Sequence, residues 1–358
     1  MYSYRNPKEP NRRQTPDYRL GLVRDVLTNL HRGECVAVVG VGSCGKSRLL
    51  LHLTRPDTME YHLGNSAYNH FIVLVECNSF IDQTNWAAYE AMARAIDELL
   101  RNANHRTLNE MAEALEPMYG MVSGDRDLAF KHLLTGINYL LKNTGLKLTI
   151  CFDEFDFVFE KFDAQLFRNL RALRNQNKYQ LSYLVATRRQ MPHQRPQTQQ
   201  EEVEEFYELF TSNTYGIGPY ETRDAQQMVS DLEERYEFRL KKVTRDMLID
   251  VTGGHPGTLG AAFRVLVDTQ QQPTTPDQMG QLLVRNPTLW KECDKIWDSL
   301  REAEHDALRR LALNKAPTRE DPAPLQELKA KGLIKPVGDR GSLVVFSPVM
   351  TEFVRSKV

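Results

Sequence analysis

Apolar residues recur at helical spacing from Tyr18 to Leu30 (Leu20, Leu22, Val23, Val26, Leu27, Leu30) and Gly33 follows, so the pattern predicts a helix that leads into a turn. Four short runs then depart from that period: CVAVVG from Cys35, FIVLVECN from Phe71, KLTICFDE from Lys147 and LSYLVATRR from Leu181. They are rich in Val, Ile and aromatic residues, and helical patterns separate them. Parallel strands need crossovers, which are usually helices, so the alternation predicts an α/β fold with a parallel sheet covered on both faces. TYGIGPY from Thr214 is expected to supply a fifth strand.

Beyond Tyr220 the strand signals stop, and helices are predicted over 221–237, 244–251 and 258–269. QQQPTTPDQ from Gln270 is a short polar connection. The last sixty or so residues read as helix (299–313), helix (324–331), strand (GLIKPV), turn (GDRG), strand (SLVVFS) and a closing helix from Pro348, the order of a winged helix. HQRPQTQQEEVEE from His193 reads as a solvated loop entering a helix. The expected organisation is an N-terminal arm (1–17), a sheet core (18–220), a helical lid (221–285) and a winged-helix domain (286–358).

Composition changes this picture little. At 358 residues the chain exceeds what one core usually serves, and 41% hydrophobic with 26% charged residues describes an ordinary globular protein. A net charge of -1 gives no global attraction to nucleic acid or anionic lipid, so such a partner needs a local argument. The five cysteines form no C-x-x-C pair, and the arm MYSYRNPKEPNRRQTP carries no apolar core of a signal peptide. No run approaches eighteen apolar residues. A soluble, cytoplasmic protein with reduced thiols and no membrane partner is expected.

The candidate chemistry begins where the first strand ends. Gly40 to Ser47, GVGSCGKS, fits G-x-x-x-x-G-K-[ST], follows a strand and opens a helix. Gly40, Gly42 and Gly45 allow the backbone to curl so that successive N–H groups, those of Ser43 and Cys44 among them, point at phosphate oxygens. The helix N-terminus at Lys46, Ser47 and Arg48 adds positive potential. Lys46 is expected to bridge the β and γ phosphates, and the Ser47 hydroxyl to ligate Mg²⁺. A glycine turn followed by a surface Lys-Ser is the alternative, and the strand-loop-helix context weighs against it.

The third run carries Asp153 and Glu154 to the C-terminal end of a strand, where ligands of open α/β sheets bind. Asp153 is expected to hold Mg²⁺ directly or through water, and Glu154 to polarise an attacking water. An acidic helix cap after a strand is the alternative. Asp156 and Asp163 read as capping or surface residues. Thr187, Arg188 and Arg189 close the fourth run, and Arg188 is the candidate to sense the γ phosphate. Arg168, Arg171 and Arg174 form one helical stripe, and such stripes are mostly solvated or paired with acids.

Taken with VTGGHPGTLGAAFRVL and the winged-helix order, these motifs resemble the STAND branch of P-loop ATPases, close to AAA+ and origin-recognition ATPases, over about Leu20 to the C-terminus. The resemblance implies ATP with Mg²⁺, a lid turn at TGGHP whose Pro256 packs against the base, and Arg188 as the strand-end arginine. Without it, Gly253 and Gly254 end one helix and Pro256 starts the next. No GRE-like motif stands near the N-terminus, Glu201 to Ser212 holds no arginine, and Thr351 replaces the histidine of the Met-His-Asp latch. The family's C-terminal repeat sensor is missing, so either the chain is a fragment or a partner supplies sensing and output.

The leading expectation is a slowly hydrolysing regulatory ATP switch that works with a partner protein or by self-assembly. The alternative is a DNA-binding ATPase of the initiator or transposition-regulator kind. From Ser299 to Val358, eleven Lys/Arg stand against eight Asp/Glu, and the recognition helix offers only Lys329 and Lys331, with Arg340 at the wing tip. That is a weak electrostatic footprint. A scaffold that binds nucleotide without turnover is a third reading, which Glu154 argues against.

Overall fold

The computed structural model describes residues 14–103, 106–284, 286–316, 322–338 and 341–358. The contacts divide the chain into two compact units, one of residues 1–38 and 47–215, the other of residues 39–46 and 216–358. Most of the expected N-terminal arm, and Arg340 of the expected wing tip, lie outside the described residues.

In the first unit the apolar runs become strands β1 (Val36–Val39), β2 (His70–Glu76), β3 (Lys147–Asp153), β4 (Leu181–Thr187) and the short β5 (Thr214–Gly216), in the sheet order β2-β3-β4-β1-β5. β2 pairs parallel with β3 from His70↔Lys147 to Glu76↔Asp153, and β3 pairs parallel with β4. Every residue of β1 and β4 is buried, which is why these strands read as unbroken apolar runs rather than alternating ones. The helices of this unit are α1 (Leu20–His31), α2 (Lys46–Leu53), α3 (Pro56–Leu63), α4 (Asn85–Asn102), α5 (Arg106–Gly124), α6 (Ala129–Thr144), α7 (Phe155–Lys161), α8 (Ala164–Gln176), α9 (Gln197–Gln200) and α10 (Glu204–Tyr207). The sheet is five-stranded, as the periodicity predicts.

Aromatic rings fill much of the core beside β3 and β4: Phe155 lies 5.3 Å from Phe152, 6.3 Å from Phe167 and 6.0 Å from Phe206, ring centre to ring centre. This cluster sits directly behind the acidic end of β3, so the turn carrying Asp153 and Glu154 rests on packed rings. The arginine stripe on α8 is structural: Arg174 is buried and donates to the Gly33 carbonyl (3.2 Å), while Arg171 reaches the Glu205 and Glu208 carboxylates. Asp163 caps α8 through the Gln165 N–H, as a capping role requires.

The second unit is helical: α11 (Thr222–Arg235), α12 (Lys242–Thr252), α13 (Pro256–Thr269), α14 (Pro276–Leu283), α15 (Pro287–Asp298), α16 (Glu302–Ala312), α17 (Ala323–Ala330), the hairpin β6 (Ile334–Val337) and β7 (Ser342–Val345), and α18 (Pro348–Arg355). Gly253, at φ +61°, ends α12, and Pro256 begins α13 behind the cap His255, whose Nδ1 accepts the Thr258 N–H (3.4 Å). The helix-helix-hairpin-helix order at the C-terminus is the one read from the sequence.

One expectation fails here. Lys331, expected on an exposed recognition face, is only 2% exposed and pairs with the fully buried Glu304 at 2.6 Å. The pair spans 27 residues of sequence, and both side chains are buried, so each charge is met by the other.

On the first unit's sheet, buried polar side chains form a row across three strands: His70 meets Thr149 Oγ1 at 2.8 Å, and Thr149 meets Ser182 Oγ at 2.8 Å. Burial, with His31 and Lys147 nearby, pushes His70 down to about 3, and burial with Arg55 nearby pushes His52 down to about 4. Both rings are therefore neutral in the fold and take a proton first when unfolded. Stability is then full above the unfolded value of about 6.5 and is lost as pH falls below it, by up to about 1.4 kcal/mol per pH unit for each ring. Urea unfolding should accordingly show weakening from pH 7 to 5, and His70→Gln should flatten the profile; equal slopes in the variant and wild type would contradict this assignment.

Candidate functional site

β1 ends at Val39, and the backbone then turns through Gly40 to Gly45 before α2 opens at Lys46. Two residues of this loop are left-handed, Ser43 at φ +57° and Gly45 at φ +93°. Ser43 is not a glycine, and holding it there costs about 1–2 kcal/mol that its surroundings must offset. The Ser43 carbonyl accepts the Gly257 N–H (3.2 Å), which helps to do so, and beside it the Gly42 N–H donates to Ser299 Oγ (2.8 Å). Gly40 is required by close approach instead, since a Cβ there would stand 2.6 Å from Cys44 Sγ.

Lys46 folds back over the loop, its Nζ donating to the carbonyls of Gly40 (2.6 Å) and Val41 (3.1 Å). The Cys44 side chain is buried, so only its backbone faces the loop; its N–H donates to the Val41 carbonyl at 3.4 Å. Ser43, Ser47 and Arg48 are exposed. Pro256 is buried at the first turn of α13, beside Gly257, whose N–H reaches the loop.

In the first unit, β3 carries Asp153 to the edge of the core, where it is 7% exposed. The next residue, Glu154, is left-handed (φ +53°, ψ +43°), which turns the chain sharply into α7; its N–H donates to Asp153 Oδ1 (2.9 Å). The two carboxylates thereby separate, Asp153 inward and Glu154 outward. Glu154 Oε2 accepts from Asn78 Nδ2 (2.9 Å) and from Arg188 (3.3 Å). Asn78 follows β2 and Arg188 follows β4, so three neighbouring strand ends converge on one carboxylate. Arg188 thus sits on Glu154, with its backbone N–H accepted by both Asp156 oxygens at 2.8 and 3.0 Å.

Thr187, the last residue of β4, is fully buried, and its hydroxyl has no hydrogen-bond partner among the described residues. Buried polar atoms are rarely left so. The field here is negative: burial and Asp153 keep the Cys77 and Cys151 thiols well above the usual range. The Asp153 carboxylate is a hard oxygen donor of the kind that Mg²⁺ takes. Among the described residues no group of three or more His, Cys, Asp or Glu side chains could hold a metal alone, so a cation here would need ligand oxygens as well. Asn78 was not legible as a site residue; the only signal is its place at the end of an apolar run.

No family model and no curated protein matches the chain. Among solved structures it is similar to the Walker-type ATPase PABY2304 of Pyrococcus abyssi, with 16% identity over 97% of this chain and 99% of that one, at a TM-score of 0.58. It is also similar to the ORC2 protein of Aeropyrum pernix in its ADP form, with 14% identity over 99% and 97% of the two chains, at a TM-score of 0.50. The chain has the fold of these ATPases. The likeness extends over residues of both units.

The tie between Asp156 and the Arg188 backbone fixes the end of β4 to α7. Asp156→Ala should lower the free energy of unfolding by about 1–2 kcal/mol, and Asp156→Asn should lower it less because its amide oxygen still accepts. Urea melts that place both variants on the wild-type curve would show the tie to be inert.

Proposed function

We propose that the chain is a Mg²⁺-dependent ATPase that hydrolyses ATP slowly and uses nucleotide state as a regulatory switch of STAND type, acting on a partner protein or on its own assembly. The observation that carries this reading is Glu154, turned outward by a left-handed backbone and held by Asn78 and Arg188 at the end of β3. A surface acid needs neither that backbone nor two donors from neighbouring strands.

The roles follow from position. β3, β4 and β1 are neighbours in the sheet, so Asp153, Thr187 and the loop after β1 leave adjacent strand ends. The amides of Ser43 to Ser47 bind phosphate oxygens, and Lys46 exchanges its two loop carbonyls for the β and γ phosphates. Ser47 and Asp153 hold the Mg²⁺, which supplies charge neutralisation between phosphates. Glu154 accepts a proton from the attacking water and orients it; Asn78 and Arg188 set the direction of that carboxylate, and Arg188 is positioned to respond when the terminal phosphate leaves. Arg48 adds positive charge near the α2 N-terminus, and Pro256, by the family resemblance, packs on the adenine.

We assign the C-terminal α16–α18 segment to a winged helix that serves packing more than DNA binding. Lys331, one of the two cations expected on the recognition helix, is consumed by Glu304. The competing reading, an initiator-type DNA-binding ATPase, draws support from the fold likeness to ORC2. Five buried free cysteines support a reducing, cytoplasmic setting, and no helix among the described residues is long and apolar enough to cross a membrane.

Glu154→Gln should reduce ATP turnover by about 100-fold or more while leaving ATP affinity within threefold. Full turnover in the variant would refute the assignment. Duplex DNA titrated over a salt series distinguishes the competing reading, which requires a steep loss of affinity with salt, whereas the switch reading requires little binding at any salt.

A further inference from the structure

Resting on the nucleotide reading above, one feature of the second unit is unexplained by it: α15 bears directly on the phosphate loop. At its C-terminal end Ser299 Oγ accepts the Gly42 N–H (2.8 Å) while donating to the Lys295 carbonyl (2.7 Å). That carbonyl leaves no room beside the loop, since a Cβ on Gly42 would stand 2.6 Å from it. One and two turns earlier, Lys295 and Glu292 form an ion pair at 2.7 Å. Glu292 is mostly buried, and its second oxygen points at Gly257, where a Cβ would meet it at 2.6 Å and Ser43 Cβ at 2.5 Å. Burial acts to raise the Glu292 carboxyl, but the Lys295 ammonium hydrogen-bonded to it outweighs that and holds the group below the ordinary carboxylate range. An anionic carboxylate therefore stands against the loop residue whose neighbours bind phosphate.

We infer that α15 is an autoinhibitory clasp: Ser299 anchors α15 to the loop at the Gly42 amide and Glu292 places a carboxylate beside Ser43, so a polyphosphate entering the loop must displace α15. A carboxylate and a phosphate beside the same residue repel, and the Ser299 anchor holds that carboxylate in place. Displacement is transmitted, because the outer face of α15 is the seat of the last helix. Trp290 and Trp297 pack on Phe353 of α18 with ring centres 5.6 and 6.3 Å apart, and Lys357 pairs with Asp294 at 3.0 Å. Loop occupancy and α18 docking are then linked equilibria, and whatever weakens the clasp tightens nucleotide binding. Ser299 and Glu292 are positioning residues in this scheme; neither reacts.

The test uses the full chain, MgADP as probe and tryptophan emission as readout, in a Trp86→Phe background so that only Trp290 and Trp297 report. Ser299→Ala and Glu292→Gln should each bind MgADP about three- to tenfold more tightly than the parent, with Ser299→Thr, which keeps the hydroxyl, close to the parent. Saturating MgADP should change the emission of the parent, and Ser299→Ala should show part of that change before nucleotide is added. Unchanged or weaker affinity in both Ser299→Ala and Glu292→Gln, or no emission change in a parent that binds MgADP, overturns the clasp while the nucleotide reading stands. If neither the parent nor the variants bind MgADP, both fall.

Discussion

The backbone between Val39 and Lys46 is the constraint on which the rest depends. It must leave a buried strand, pass through left-handed residues at Ser43 and Gly45, and enter a helix within eight residues of Gly40. None of these conformations is favourable alone for a serine or in isolation from its supports. The strand before it and the helix after it belong to the first unit, while the contacts of the loop itself belong to the second. A loop with that allegiance cannot change its conformation without disturbing the helices that hold it. Its contacts with Gly257 and Ser299 therefore tie the loop to α13 and α15.

Two adjacent acids acquire different surroundings. Asp153 and Glu154 share one strand end, yet one is nearly buried and the other is held out by donors from β2 and β4. The left-handed Glu154 backbone separates them, and the ring cluster around Phe155 keeps the turn from relaxing. Under the proposed function, these separate environments suit one carboxylate to a cation and its neighbour to a proton.

What the sequence made legible was whatever depends on local pattern. Fully buried strands show as apolar runs, the loop shows by its glycines and its Lys-Ser, and Gly253 with Pro256 mark a helix end and a helix start. What it concealed depends on chain segments meeting from far away. Asn78 is an unremarkable polar residue until β2 is placed beside β3. Ser299 and Glu292 lie more than two hundred positions from the loop they touch, in a stretch whose composition suggests only a connection and a helix start. Lys331 misled for the opposite reason: a lysine after a short helix looks solvated, and only its approach to Glu304 reveals a buried ion pair. Charge counting along a segment cannot distinguish a free cation from one already neutralised.

The central claim is that the Gly40–Ser47 loop binds the phosphates of a nucleotide. Calorimetric titration of MgADP into the wild-type chain and into Lys46→Ala tests it with the fewest intervening assumptions. The account predicts saturable binding at one site per chain in the wild type and its loss in the variant. Saturable binding of equal strength in both proteins, or none in either, would contradict it.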